Sequence, residues 1–352
     1  MPAHDVIFLT NDAATRKRWA KELYRILLPA TEFNDLVSTG SNSVIEMRSD
    51  LAKGEGDTIN FTIRLPFVGE GVVGQLPVEG NEEKMRFRNY NVTIEELNHA
   101  VDTGGKMDEQ RVPYNLVEEG KNGLQEWWAE KLSNYVFNVI CGNSNYKIAG
   151  LSFGTAPVEP DADHHMRVND VGSEATMTSV DIMDLTFLDR MKQLAEMPTG
   201  ANCYKVRPLI INGKRYYRVV LHTYVFDRLR QNMNAGQWGD LLRSAQKLQQ
   251  PNVEFEYNGM LVSKSERIFQ SVVSSGKVGV YRNVLLGAQA AVFAWGGAGE
   301  SKSTTMAFVP YTKDAGRFVM IRGGGIFGCA KTRFDSKDFG VIVGSSWGAP
   351  LA

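Results

Sequence analysis

Cysteine is scarce and poorly placed for chemistry: the 352-residue chain holds three, Cys141, Cys203 and Cys329, with no CxxC spacing. An odd, widely separated set excludes a disulfide scaffold and a zinc site and fits a reducing compartment. An excess of one charge sign is also missing. The formal net charge is −1, so the bulk balance demands neither nucleic acid nor an anionic membrane as ligand. Long hydrophobic runs are absent too. The longest weakly polar stretch, Val284 to Gly299, is interrupted by Gln289 and is too short to span a bilayer. The one early apolar run, Val6 to Leu9, sits between Asp5 and Asn11 and does not read as a secretory signal. The metalloprotease pattern HExxH does not occur.

Three glycine patterns imitate nucleotide-binding loops. Gly69-Glu-Gly71-Val-Val-Gly74 follows a strand, but Pro77 and Gly80 deny it the helix that would hold a pyrophosphate. Gly323-Gly-Gly325-Ile-Phe-Gly328 comes too near the end of the sequence for a βαβ unit. Gly296-Gly-Ala-Gly-Glu-Ser301-Lys302-Ser303 resembles a phosphate loop, except that Ser301 stands where the last glycine belongs. Asp161-Ala-Asp-His-His165 is the one metal-like cluster, and its loop context reads as a solvated turn. No catalytic, cofactor or metal site is expected.

What the chain does have is centred on residues 57–142. Asp57 to Leu65 alternates cleanly, with Ile59, Phe61, Ile63 and Leu65 on one face, which predicts a half-buried strand. Met85 to Ile94 answers it, with a change of phase that predicts a bulge near Asn89. The connection from Pro66 to Lys84 is too long for a hairpin turn. Its apolar side chains (Pro66, Phe67, Val68, Val72, Val73, Leu76, Val78) would contribute roughly 1.5–3 kcal/mol each on burial. Ordering its backbone costs about 1–2 kcal/mol for every one of its residues, so the tip either stays mobile or is held by a partner surface, and its apolar residues point to a partner. Asn98 to Met107 reads as a loop, and a long amphipathic helix follows, from about Asp108 or Pro113 to Cys141, stopping at Gly142.

Upstream, a helix is predicted from Asn11-Asp12 to Leu28. Arg16, Lys17, Arg18, Lys21 and Arg25 face one acid, Glu22, which suits either a solvated face or contact with a nucleic-acid backbone or acidic neighbour. Downstream, a helix is predicted from Thr178 to Pro198 with Asp181 as a loose capping box. Hairpins are expected at Asn212-Gly213 and Asn258-Gly259, short helices at 224–231 and 237–249, and strands at 305–310, 317–321 and 341–343. Hairpins and a few helices without regular alternation make the class α+β.

The order of several segments carries a resemblance. Glu55-Gly-Asp-Thr-Ile-Asn-Phe-Thr-Ile63, Gly71-Val-Val-Gly74 and Val78-Glu-Gly-Asn-Glu-Glu83 come first, then Phe87 to Asp102 and Gln110-Arg111 leading into the Trp127-Trp128 helix. His222-Thr-Tyr-Val-Phe-Asp-Arg-Leu229 with Trp238, and Arg282 to Ala290, complete the series. Together they resemble tailed-phage major capsid proteins, in the branch that includes podophage coat proteins, over roughly residues 15–300.

That resemblance implies the Hong Kong 97-like fold: an N-terminal arm (1–50), a long hairpin or E-loop (51–97), a peripheral domain (98–170) on a spine helix at about 113–141, and an axial domain (171–330). The segment 331–352 would return to the peripheral region. It implies a homo-oligomeric shell of hexamers and pentamers around double-stranded DNA, with a portal and a decoration or cement protein, in a virion assembled in bacterial cytoplasm. Only about 50 residues precede the hairpin, so a separate scaffolding protein is expected. Inter-subunit contacts would fall on Phe67, Val68, Val72, Val73, Leu76, Val78, Glu82, Glu83 and Lys84. Lys53 and Lys84 flank the hairpin, but no matching Asn and catalytic Glu stand out, so no isopeptide cross-link is expected. The competing readings are a tail or decoration protein with a similar arm, and a nucleotide hydrolase using Lys302.

Overall fold

The amphipathic stretch before Gly142 forms α1, Leu116–Cys141, and its ends are set by local chemistry. The Asn115 side chain accepts from the amides of Val117 and Glu118, and Glu118 and Glu119 lie at the positive end of the helix dipole. Gly142 closes the helix at φ 72°, a left-handed conformation that glycine adopts without strain. The computed structural model that shows this describes residues 33–49, 56–64, 67, 69–74, 77–105, 115–199, 204–233, 237–241, 252–297, 306–314 and 316–351.

Two sheets carry the core. In the first, β15 (Phe318–Lys331) is the central strand. Along one of its edges run β14 (Met306–Lys313) and β13 (Ala291–Trp295), and along the other β5 (Glu95–Gly105), all antiparallel. The strands β2 (Ile45–Arg48) and β1 (Val37–Ser38) extend this sheet in parallel from β13. Helix α1 lies on it, and the contact is close because β15 is glycine-rich there. A Cβ at Gly323 would stand 2.8 Å from Trp128 Nε1 and 2.9 Å from Leu124 Cδ2. Tyr135 reaches the same strand, donating to the Cys329 carbonyl at 3.1 Å and accepting from its amide at 3.0 Å.

In the second sheet, β12 (Val278–Leu286) is covered on one edge by β18 (Val341–Gly348) and on the other by β11 (Gln270–Ser275) and β8 (Lys214–His222). Strand β8 continues to β10 (Met260–Ser265) and β9 (Phe255–Tyr257), and β7 (Leu209–Ile211) folds back on β8. The short β6 (His165–Arg167) pairs in parallel with β18. Helices α2 (Leu185–Glu196) and α3 (Thr223–Asn232) pack on the sheet. Both Asn-Gly hairpins form as expected, with Asn212, Gly213, Asn258 and Gly259 all at positive φ. A separate two-stranded sheet joins β3 (Thr58–Arg64) to β4 (Phe87–Thr93).

Four expectations are corrected. Residues 98–107 are not a loop as far as they are described: 98–105 belong to β5, where Leu97, His99, Val101 and Thr103 alternate inward under α1 and the Thr103 hydroxyl bonds Val319 O. No bulge occurs near Asn89, because β3 and β4 pair without interruption and Phe87 simply faces solvent, 49% exposed. Helix α2 starts at Leu185, capped by Asp184, rather than at Thr178. Asp181 instead folds a turn by accepting from the Thr178 amide, and its carbonyl receives the Trp347 amide. The cluster at 161–165 is only partly solvated: His164 is 1% exposed and Asp161, Asp163 and His165 are half-buried, while Ala162 is exposed. Among the described residues, no helix is long and apolar enough to cross a membrane.

Candidate assembly interface

The β3–β4 hairpin leaves the body as an arm. At its root, Ile59 and Val92 are buried against Val292, Ala294 and Ala330, with Phe61, Tyr90 and Ile94 beside them. Tyr90 meets Phe334 edge-on at 6.3 Å, and Arg88 Nε donates to Asp335 at 2.6 Å, where the Tyr204 hydroxyl also donates at 3.2 Å. The Thr93 amide is held by the Thr155 hydroxyl at 2.8 Å. Beside these contacts lies a cavity of about 240 Å³ between residues 59–63 of β3 and Val292, Phe334 and Phe339.

Beyond the root the chemistry reverses. A two-stranded hairpin has no second layer to cover its apolar face. Phe67 (53%), Val73 (81%), Val78 (65%) and Met85 (61%) are exposed, while Val72 is half-buried. The tip is shaped by its own polar groups: Glu83 accepts from the Gly69 amide at 2.7 Å, Glu82 from the Gly80 amide at 2.9 Å, and Arg86 approaches Glu83 at 3.8 Å. Arg64 lies 5.2 Å from the Phe67 ring centroid. The structure thus gathers Phe67, Val72, Val73, Val78, Glu82, Glu83 and Lys84 on one tip. Val68, Leu76, the basic residues Arg16, Lys17, Arg18, Lys21 and Arg25, and Lys302 lie outside the described residues.

Behind the arm a buried ionic knot ties three parts of the chain together. Arg282 on β12 grips Glu174 with two nitrogens, at 2.9 and 2.8 Å, and donates to the Gly142 carbonyl at 2.7 Å. The Ser345 hydroxyl donates to Glu174 at 2.5 Å, and His165 Nε2 stands 2.9 Å from Ser345 Oγ. Burial pushes the Glu174 carboxyl up, but bonds from His165, Arg282 and Ser345 outweigh it and hold the pKa far below the usual range. Nearby, Asp161 Oδ2 meets His164 Nδ1 at 2.9 Å and accepts the Asp338 amide at 2.7 Å, which lowers its pKa despite burial. Lys331 and Asp338 form a fully buried pair at 2.7 Å. Sequence reading saw His164 and His165 but not Glu174, Arg282 or Ser345, because no spacing rule links positions 165, 174, 282 and 345.

The described cysteines are sealed in: burial raises the Cys141 thiol to about 11, and that of Cys329 rises further. Among the described residues no group of three His, Cys, Asp or Glu is placed to hold a metal.

Comparison with known proteins accords with that geometry. The profile of the phage capsid protein family matches residues 8–348. The chain belongs to the phage capsid protein family. This capsid protein is 28% identical to the major capsid protein of Pseudomonas phage KPP25 over 151 residues, a match covering 42% of this chain and only 40% of that relative. In structure it is similar to the capsid of Ralstonia phage GP4, with TM-score 0.78 at 23% identity over 92% of both chains. The Cyanophage Pam1 capsid gives TM-score 0.68 at 18% identity, over 92% of this chain and 94% of that one. A third likeness is to the capsid of Helicobacter pylori bacteriophage KHP30, TM-score 0.66 at 13% identity over 90% of each chain. The expected Hong Kong 97-like α+β fold is the fold of this capsid protein.

Proposed function

We propose that this capsid protein is the major capsid protein of a tailed phage, and that its copies close into an icosahedral shell around double-stranded DNA. The observation that carries the reading is the projecting arm, rooted in the core yet leaving Phe67, Val73 and Val78 exposed. The E-loop tip, with Val68 and Leu76 added to the residues above, lies over a neighbouring subunit; Glu82, Glu83 and Lys84 set register more than affinity. Residues 1–50 act as an arm, 51–97 as the E-loop, 98–170 as the peripheral domain, 171–330 as the axial domain and 331–352 as a returning segment. The basic stretch Arg16 to Arg25 faces the genome or an acidic neighbour. Assembly takes place in bacterial cytoplasm with a separate scaffolding protein, and the shell receives a portal and, where the phage encodes one, a decoration protein.

Negative-stain electron microscopy of the protein, expressed with and without its neighbouring phage genes, tests this. Closed shells, alone or only with a scaffold, are the expected outcome. Rings or tubes would transfer the protein to a tail, and a persistent monomer in both cases would overturn the proposal.

A further inference from the structure

One surface outside the arm is charged without compensation. Between Glu196 and Asp227 the sequence has no acidic residue, yet it carries Lys205, Arg207, Lys214, Arg215 and Arg218. Arg218 is turned inward and pairs with Asp35 at 2.5 Å. The other four are exposed on the β7–β8 hairpin and the strand-like lead into it. Lys205, Lys214 and Arg215 have no ion-pair or side-chain hydrogen-bond partner among the described residues, and Arg207 meets only the neutral Gln289, at 3.3 Å. The acids that flank the hairpin are already engaged. Asp189 accepts from the Tyr257 hydroxyl and the Asn258 amide group, and Glu196 faces Lys192 at 3.6 Å.

We propose that this hairpin is a contact surface for the phosphate backbone of double-stranded DNA; the identity of that DNA as the packaged genome rests on the shell reading above. Lys214 and Arg215 are consecutive on β8, opposite Ile211 and Ile210, so their side chains leave on opposite faces of the ribbon. Charge on both faces of the ribbon suits a continuous polyanion. A protein partner would need matching carboxylates on two sides. The hairpin also offers no exposed ring on which single-stranded bases could stack, since Tyr216 and Tyr217 are 4% and 2% exposed. With bare cations and no base-reading surface, the recognition is of duplex backbone without sequence preference.

The test is duplex binding by unassembled, purified subunits, followed against salt with a linear double-stranded DNA of random sequence. Lys205→Gln, Arg207→Gln, Lys214→Gln and Arg215→Gln together should reduce the slope of log affinity against log salt by about 3–4, near 0.9 for each phosphate no longer neutralised. Asn212 and Gly213 stay in place so that the turn forms. Should the fourfold variant fail to fold, Lys214→Gln with Arg215→Gln alone should reduce the slope by about 2. An unchanged slope in a folded variant overturns the proposal. So does loss of shell assembly with DNA binding intact, which would make the hairpin a subunit contact. Wild-type protein that binds DNA through these residues but never closes into shells would retain this surface and remove the shell reading.

Discussion

Strands β12 and β3 are both paired antiparallel, yet they stand at opposite ends of the burial scale. In β12 eight of nine residues are buried, including Arg282 and Asn283. Each of these polar side chains is answered: Asn283 donates to Gly344 O and Ser346 Oγ and accepts the His222 amide, while Arg282 is locked to Glu174. In β3 only Ile59 is buried, although the strand alternates far more cleanly. Clean alternation therefore marks a strand with one covered face, and here that cover ends a few residues from the root. The apolar half-face beyond it stays partly open to solvent, with Phe61 and Ile63 only half-buried.

The largest effect should come from the buried side of this contrast. Arg282→Ala removes the guanidinium that answers Glu174, leaving only Ser345 and His165 beside the carboxylate, and should cost about 3–5 kcal/mol in chemical denaturation of the unassembled subunit. A cost well below about 1 kcal/mol would show that the knot does not hold the sheets together. His222 gives a pH-dependent effect next in size. Burial depresses its pKa to about 4 from the usual 6.5, so the unfolded chain binds a proton first as pH falls. Its contribution is thus lost between about pH 6.5 and 4, by on the order of 2–3 kcal/mol, and nothing changes above that window. His222→Asn, which keeps an acceptor for the Tyr224 amide, should flatten this part of the stability–pH curve; an unaltered slope would assign the acid sensitivity elsewhere.

Gly323→Ala sharpens the comparison from the packing side. Its methyl would press on Trp128 and Leu124 and should cost about 1–3 kcal/mol, read as a lower thermal midpoint. Asp335→Ala breaks the exposed pair with Arg88 and should leave the thermal midpoint almost unmoved, with faster hydrogen exchange confined to β3 and β4. Smallest for the subunit is Val73→Ser with Val78→Ser, expected within about 0.5 kcal/mol of wild type. The same pair should prevent closed shells from forming in electron micrographs. Normal shells would separate the exposed tip from assembly.

The parts legible in advance were those fixed by short-range chemistry. Asn212-Gly213 and Asn258-Gly259 announce I′ turns because few other pairs tolerate positive φ at both positions. Gly142 marks the end of α1 for the same steric reason. Strand β5 was misread because Asn98, Asp102, Gly104 and Gly105 resemble a turn, and only β15 and α1 on either side make it a strand. The arm tip was legible as a surface in want of a partner, since counting its apolar side chains against its length needs no fold. The knot was not, and neither was the bare charge of the β7–β8 hairpin, whose cations look ordinary until each acid nearby is found to be occupied.

By itself, then, the sequence determined the local turns, the spine helix with its stop at Gly142, and the oversized hairpin with too little core of its own, because each depends on residues within a few positions of one another. Only the tertiary structure decided that β5 is a strand, that His165, Glu174, Arg282 and Ser345 meet, and which cations remain unpaired. Those outcomes depend on contacts between residues far apart in sequence, 180 positions for His165 and Ser345 and more for β5 and β15, where burial and charge pairing are set by what folds alongside.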